Sequence, residues 1–123
     1  MLSIPSILVI DDDPDAAKTL AQLLTALGVK DVREASSGEM ALDILKTQSF
    51  SMILVDYRMQ GMNGVEFLER VRGKGDETPI LLVSGAPEKA AVIRAANYKK
   101  VDFIGKPFRM AELLGAVQKL ASA

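Results

Sequence analysis

The sequence predicts an α/β fold in which five parallel strands form one doubly wound sheet with five helices on its two faces. Short apolar runs without polar alternation indicate strands that are buried on both sides, and they occur at residues 7–10, 52–55 and 80–83. Between these runs lie segments with helical spacing of apolar residues, long enough to be crossover connections. Right-handed crossovers then place helices on both faces of the sheet.

The other elements follow from residue spacing and from end signals. Two more strands are predicted at residues 31–35 and 101–104, the first on a weaker, alternating pattern. Asp13 and Pro14 are typical of a helix cap and first helical position, and Gly28 of a helix end. The residues expected to face the core are Ala16, Leu20, Leu23, Leu24, Leu27, Val32, Ala35, Ala41, Leu42, Leu45, Gly64, Phe67, Leu68, Val71, Met110, Leu113, Leu114 and Val117.

The remaining helix ends carry ordinary capping and breaking residues. Ser36 and Ser37 can cap the second helix, and Asn63 can cap a third helix that ends near Gly73. A fourth helix, rich in small residues, is expected to start with Pro87 and to cover residues 88–97. No repeat or linker divides the chain, so residues 1–123 are expected to form one domain.

The composition excludes several classes of function. The chain has 15 basic and 16 acidic residues and a formal net charge of -1, which gives no reason to expect binding to nucleic acid or an anionic membrane. It contains no cysteine and no histidine, so a metal site would need oxygen ligands. No apolar run has the length of a membrane span, and a cytoplasmic protein is expected.

The polar residues of interest directly follow the predicted strands, where open α/β sheets bind ligands. They are Asp11, Asp12 and Asp13 after the first strand, Asp56 after the third, Ser84 after the fourth and Lys106 after the fifth. Carboxylates, a hydroxyl and an ammonium at one edge suit phosphoryl transfer with a divalent cation, with one carboxylate available to attack phosphorus. Mg²⁺ suits this set better than Ca²⁺, and Asp13 is interpreted as a helix cap.

Five motifs stand in order at the strand ends of this chain. They are Ile7-Leu8-Val9-Ile10-Asp11-Asp12-Asp13, Ile53-Leu54-Val55-Asp56, Asn63-Gly64, Pro79-Ile80-Leu81-Leu82-Val83-Ser84 and Lys106-Pro107-Phe108. Together they resemble the receiver domains of two-component response regulators, over essentially the whole chain. The resemblance implies a flavodoxin-like sheet with strand order 2-1-3-4-5. It also implies that Asp56 accepts a phosphoryl group from a phosphohistidine on a histidine kinase or a histidine phosphotransfer protein.

The same resemblance implies a set of metal ligands. Asp12 would bind Mg²⁺ directly, and Asp11 would act largely through water. Asp56 and the backbone carbonyl of Arg58 would complete the protein ligands. The domain would catalyse its own phosphorylation and slow dephosphorylation, and would not be an enzyme that turns over an independent substrate.

The resemblance also assigns the other catalytic and switch residues. Ser84 would hydrogen-bond one phosphoryl oxygen, and Lys106 would pair with another. Phe103 matches an aromatic switch position, although filling a core position explains it equally well. The surface of the fourth helix, fifth strand and fifth helix would then change its preference for a downstream protein or a second copy of the chain. The bond between Lys106 and Pro107 is expected to be cis.

Several positions depart from the receiver pattern. Gln60 stands where many receivers carry a proline, four residues after the phosphoacceptor, and residues 97–100 replace a common Ala-Gly-Ala segment. Arg58 and Ala86 occupy two variable positions that tune the access of water to the aspartyl phosphate. Our hypothesis is that the long cationic side chain of Arg58 shields the phosphoryl group and slows its hydrolysis.

Four other interpretations account for part of the sequence. An EF-hand loop fails because Ala16 stands where glycine is needed and Gln22 where a bidentate glutamate belongs. A phosphatase of the haloacid dehalogenase superfamily would leave Asp56 unexplained, and only Glu112 follows the lysine as a further acid. A flavodoxin-like mononucleotide binder needs a phosphate loop without three aspartates. A receiver-like interaction module with a degenerate site remains the main alternative.

Overall fold

A five-stranded parallel sheet runs through the centre of the protein. The structure is a computed structural model and describes residues 2–85 and 88–122. Within these ranges the strands are β1 (Ser6–Ile10), β2 (Asp31–Ala35), β3 (Met52–Asp56), β4 (Ile80–Ser84) and β5 (Val101–Gly105). They pair in the order β2-β1-β3-β4-β5, and all neighbours are parallel. The predicted fold class and strand order are confirmed.

Helices cover both faces of this sheet. In the described ranges they are α1 (Pro14–Ala26), α2 (Gly38–Leu45), α3 (Gly64–Gly73), α4 (Lys89–Ala95) and α5 (Met110–Ala121). One layer contains α1 and α5, and the other contains α2, α3 and α4. No helix in the described part of the chain is long and apolar enough to cross a membrane.

The central strands supply side chains to both layers. In β1, Leu8 and Ile10 belong to the core layer on the side of α2, α3 and α4, whereas Ile7 and Val9 belong to the layer on the side of α1 and α5. All four side chains are almost completely buried. Successive residues of a strand point to opposite faces, so a strand covered on both sides needs apolar residues at every position. This explains the apolar runs of the sequence.

The predicted caps lie where the sequence indicated. The Asp13 carboxylate accepts hydrogen bonds from the backbone N–H groups of Asp15 and Ala16 at the start of α1. Ser37 caps α2, and Asn63 caps α3 in a reciprocal capping box with Glu66. These bonds satisfy N–H groups that a helix terminus would otherwise leave without partners.

Two predicted core positions are wrong. Ala16 is only partly buried, because the buried stripe of α1 runs instead through Ala17, Leu20, Ala21 and Leu24. Met110 is 43% exposed, because α5 is buried only from Leu113 onward.

Val32 and Ala35 both pack inward, but on opposite faces, because an odd spacing in a strand reverses the side.

The fourth helix is shorter than predicted. It covers Lys89–Ala95, with Glu88 as its cap residue, and not residues 88–97. The chain tightens after Ala95, where the N–H groups of Asn97 and Tyr98 donate to carbonyls three residues back. Pro87, the predicted start of this helix, and Ala86, one of the variable positions, lie outside the described residues.

Gly64 allows α3 to approach β3 closely. A Cβ at this position would lie 2.7 Å from Leu82 Cδ2, 2.8 Å from the carbonyl oxygen of Asp56 and 3.0 Å from Tyr57 Cα. Two of these contacts are with backbone, which cannot move aside as a flexible side chain can. The first turn of α3 therefore packs directly against the chain segment that carries Asp56.

We predict that Gly64→Ala destabilises the protein by about 1–3 kcal/mol, because the added methyl group overpacks this contact. Gly73→Ala is the matched control, since it makes the same change in the same helix at a site with no atom within 4 Å of the added Cβ. Urea denaturation would measure both variants. Equal free energies of unfolding for the two variants would contradict the prediction.

Candidate functional site

Four strands deliver polar side chains to one edge of the sheet. Asp11 and Asp12 directly follow β1, Asp56 is the last residue of β3, Ser84 is the last residue of β4, and Lys106 directly follows β5. Because the strands are parallel, their carboxyl ends meet at this edge. The structure therefore brings the sequence-predicted site residues together.

Three carboxylates form the acidic part of the site. One oxygen from each of Asp11, Asp12 and Asp56 lies within 4.8 Å of the others. Asp11 is buried, Asp12 is exposed and Asp56 lies between them in exposure. Asp13 is not part of this cluster, which agrees with its role as the cap of α1.

A backbone N–H group contacts each of these carboxylates. Asp11 Oδ1 accepts from the N–H of Asp13 at 2.9 Å, and Asp12 Oδ2 accepts from the N–H of Gln60 at 3.0 Å. The backbone of Arg58 hydrogen-bonds to the Asp56 carboxylate. Such donors stabilise the ionised form of a carboxyl group and fix its orientation.

Lys106 supplies the positive charge of the site. Its Nζ lies 3.4 Å from Asp56 Oδ2 and 3.7 Å from Asp11 Oδ2. Its backbone N–H donates to the carbonyl oxygen of Ser84 at 2.8 Å, which continues the pairing of β4 with β5. The peptide bond to Pro107 is cis, as predicted.

Opposing effects act on the ionisation of Asp56. Burial raises the pKa of this carboxyl group above its usual value, and the charge of Lys106 is the largest effect in the opposite direction. The neighbouring Asp11 carboxylate raises the pKa further, whereas hydrogen bonds from Lys106 and the Arg58 backbone lower it. The net effect is a raised pKa, so keeping Asp56 ionised in the folded protein costs free energy.

The hydroxyl group of Ser84 is buried and has no hydrogen-bond partner among the described residues. Ser84 is 1% exposed, and its Oγ makes no hydrogen bond within the described part of the protein. Leaving a buried hydroxyl unsatisfied costs about 1–3 kcal/mol. A buried polar atom of this kind, on the last residue of a strand that ends at the same edge as the acidic cluster, indicates a place for a polar ligand.

Phe103 and Arg58 lie beside this edge in different environments. Phe103 is partly buried on β5, pairs with Leu82 of β4 and packs against the core on the side of α2, α3 and α4. The side chain of Arg58 is exposed in the loop between β3 and α3. The core packing of Phe103 agrees with one of the two interpretations weighed for it, and a switch role stays a prediction.

The donor set suits a hard divalent cation. Carboxylate oxygens are the ligands that Mg²⁺ prefers, and Asp11, Asp12 and Asp56 offer three of them within a short span. Without positive charge, three carboxylates this close repel one another, and Lys106 contacts only Asp11 and Asp56. The cluster therefore offers oxygen ligands for a cation, and a bound cation would reduce the repulsion among the carboxylates.

An apolar groove adjoins the acidic edge. It has a volume of about 560 Å³ and lies between α1 and the start of the segment that follows β5. Asp11, Asp56 and Lys106 line its polar end, and Ala16, Leu20, Leu23 and Phe108 line its apolar side. The predicted core residue Ala16 thus faces this groove instead of the core, whereas Leu23 lines the groove and also packs against the core.

Two features of the site were missed from the sequence. The N–H of Gln60 contacts Asp12, and the absence of proline at this position was the available signal. The groove beside Asp56 was also missed, because apolar spacing along α1 does not distinguish a buried residue from one that lines a cleft.

Comparison with known proteins decides the family. The response regulator receiver domain matches residues 7–118, which is most of the chain. The chain belongs to this family. Receiver domains are signalling modules of two-component systems, and the acidic cluster lies at the strand ends where the sequence pattern predicted it.

Individual relatives of this receiver domain agree with the assignment. The chain is 30% identical over 116 residues to the chemotaxis protein CheY-3 of Vibrio cholerae, covering 93% of this chain and 89% of that protein. It is 36% identical over 105 residues to a chemotaxis protein CheY homolog of Campylobacter jejuni, covering 83% and 81%. The solved structure of V. cholerae CheY4 superposes with a TM-score of 0.86 at 25% identity, covering 96% and 99%.

The raised pKa of Asp56 predicts a pH-dependent effect of Asp56→Asn. A carboxyl group with a higher pKa in the folded state contributes stability below its unfolded pKa, and this stability is lost as the pH rises through the folded pKa. The asparagine side chain does not ionise, so the variant does not lose stability in this way. In magnesium-free buffer we expect the variant to gain thermal stability relative to wild type as the pH rises from 3 to 7.

Thermal unfolding at several pH values would measure this difference. Asp31→Asn, which changes an exposed carboxylate on β2, is the control and should not show the same gain. A difference between Asp56→Asn and wild type that is constant with pH would contradict the prediction.

Proposed function

We propose that this receiver domain accepts a phosphoryl group on Asp56 from a phosphohistidine donor, with Mg²⁺ bound at the acidic cluster. The observation that carries the proposal is that Asp56 lies next to the acidic pair and closer to Lys106 than Asp11 does, at 3.4 Å against 3.7 Å. A carboxylate placed between cation ligands and an ammonium group can attack a phosphoryl group, because the cation and the ammonium group would neutralise the charge of the phosphoryl oxygens.

The transfer exchanges one bond to phosphorus for another. An Asp56 carboxylate oxygen forms a bond to phosphorus, while the bond from phosphorus to the histidine ring nitrogen breaks and leaves its electron pair on the imidazole. Lys106, 3.4 Å from Asp56, is positioned to pair with a phosphoryl oxygen. When bound by Asp11, Asp12, Asp56 and the Arg58 carbonyl, Mg²⁺ would neutralise charge on the phosphoryl oxygens.

Ser84 is proposed as the residue that detects the phosphoryl group. Its buried hydroxyl has no hydrogen-bond partner among the described residues, and a phosphoryl oxygen on Asp56 would supply one. Movement of this side chain would free space next to β5, where Phe103 is only partly buried. The surface of α4, β5 and α5 would then change its preference for a downstream protein or a second copy of the chain.

The groove along α1 is proposed as the contact for the phosphodonor. Its polar end includes Asp56, and its apolar side includes Leu23 and Phe108. A histidine kinase or histidine phosphotransfer protein with an apolar surface beside its phosphohistidine could bury that surface here. This would bring the phosphorus atom to Asp56 and supply affinity away from the reacting atoms.

The wider assignment follows from these roles. Residues 1–123 would form one receiver domain that catalyses its own phosphorylation and dephosphorylation, without turnover on an independent substrate. Membership of a family with chemotaxis-protein relatives supports a cytoplasmic location. Recognition would be by protein partners and not by nucleic acid or membrane, in agreement with the net charge of -1.

We predict that acetyl phosphate adds one phosphoryl group to the wild-type protein only when Mg²⁺ is present, and that Asp56→Ala abolishes the addition. Intact mass spectrometry would measure the adduct. Asp13→Ala is the matched control, since it removes a neighbouring acid that caps α1 and does not belong to the cluster. It should retain phosphorylation.

The other outcomes separate the alternatives. No adduct and no binding of Mg²⁺ would favour the degenerate interaction module. An adduct that survives in Asp56→Ala and disappears in Asp11→Ala would favour the phosphatase-like interpretation instead.

We also predict that Arg58→Ala shortens the lifetime of the phosphorylated state, because the cationic side chain next to Asp56 would shield the phosphoryl group from water. The rate of phosphate loss after removal of acetyl phosphate would measure this. Arg33→Ala, which changes an exposed arginine on β2, is the control. An unchanged rate in Arg58→Ala would refute the shielding role.

A further inference from the structure

The loop between β3 and α3 reaches across the site to Asp12. The backbone N–H of Gln60 donates to Asp12 Oδ2 at 3.0 Å, although the two residues are 48 positions apart in the chain. Asp12 is exposed, and an exposed carboxylate without a fixed partner samples several rotamers. A donor held in place by the fold restricts this freedom and keeps the carboxylate in the acidic cluster.

The loop that presents Gln60 is itself held in place. The N–H of Gly64 donates to the carbonyl oxygen of Tyr57 at 2.9 Å and closes the loop, and the N–H of Tyr57 donates to Val83 in β4 at 2.9 Å. Gly61, directly after Gln60, has φ of 75°, a left-handed conformation that suits glycine. The Gln60 N–H is therefore a fixed donor and not a chance contact of a loose segment.

The bond to Asp12 is one of a set. Asp11 accepts the N–H of Asp13, Asp56 is hydrogen-bonded by the backbone of Arg58, and Asp12 accepts the N–H of Gln60. Two of these donors belong to the same loop, and they fix carboxylates that come from two different strands. Preorganised ligands lose less conformational entropy when a cation binds.

We propose that Gln60, through its backbone N–H, is a positioning residue that holds Asp12 ready to bind Mg²⁺. The inference rests on the proposed function, in which Asp12 is a direct magnesium ligand. Proline has no N–H and could not make this bond. A receiver with proline at the position of Gln60 would have to orient the corresponding aspartate in another way.

The test is the magnesium affinity of two variants at one position. Gln60→Pro removes the N–H, whereas Gln60→Ala removes the side chain and retains the N–H. Isothermal titration with MgCl₂ would give the affinities, and thermal unfolding without Mg²⁺ would check that each variant folds. We expect Gln60→Pro to bind Mg²⁺ about three- to tenfold more weakly, the value of one hydrogen bond, and Gln60→Ala to match wild type.

A double-mutant cycle excludes a general distortion of the loop by proline. In an Asp12→Ala background, Gln60→Pro should have no further effect on the residual affinity. Equal or tighter binding by Gln60→Pro in the wild-type background would overturn the inference, and so would equal weakening in both backgrounds. A wild-type protein that does not bind Mg²⁺ would instead refute the magnesium site of the proposed function.

Discussion

Repulsion among three carboxylates is the constraint on which the carboxyl edge of this sheet depends. Asp11, Asp12 and Asp56 lie within a few ångströms of one another, and burial adds to the cost of ionising Asp56. Backbone N–H groups and Lys106 offset that cost. Lys106 is itself held by the pairing of β5 with β4, so the electrostatic balance depends on strand register as much as on residue identity.

Helices α4 and α5, on opposite faces of the sheet, differ in how much apolar surface they bury. On one face, α5 buries Leu113, Val117 and Leu120 against the sheet. On the other, α4 buries only Ala91 and Ala95, and an ion pair between its Arg94 and Glu69 links it to α3. Small buried side chains give little apolar stabilisation, so α4 is expected to open or shift at lower cost than α5. The proposed output surface thus includes the lightly held helix.

Most of the fold could be predicted because the deciding signals are local. Continuous apolar runs indicated the buried strands, and Asp13, Ser37 and Asn63 marked the helix starts. The positions of Asp11, Asp12, Asp56, Ser84 and Lys106 followed from the rule that parallel strands end at one edge. The contact from Gln60 was missed, since a backbone donor leaves no side-chain signature and the absence of proline indicates only that an N–H is present. Ala16 was misplaced because helical spacing alone leaves the rotation of a helix uncertain by one residue.

The backbone carbonyl and the side-chain hydroxyl of Ser84 have different hydrogen-bonding roles. Its carbonyl oxygen holds the Lys106 N–H, while its hydroxyl makes no bond to any described residue. Within residues 2–85 and 88–122, rotation about one side-chain torsion would therefore break no hydrogen bond, and it would leave the strand pairing intact. A buried hydroxyl that lacks a partner costs about 1–3 kcal/mol. In the proposed phosphorylated state, an oxygen on Asp56 would accept a hydrogen bond from this hydroxyl and would relieve that penalty.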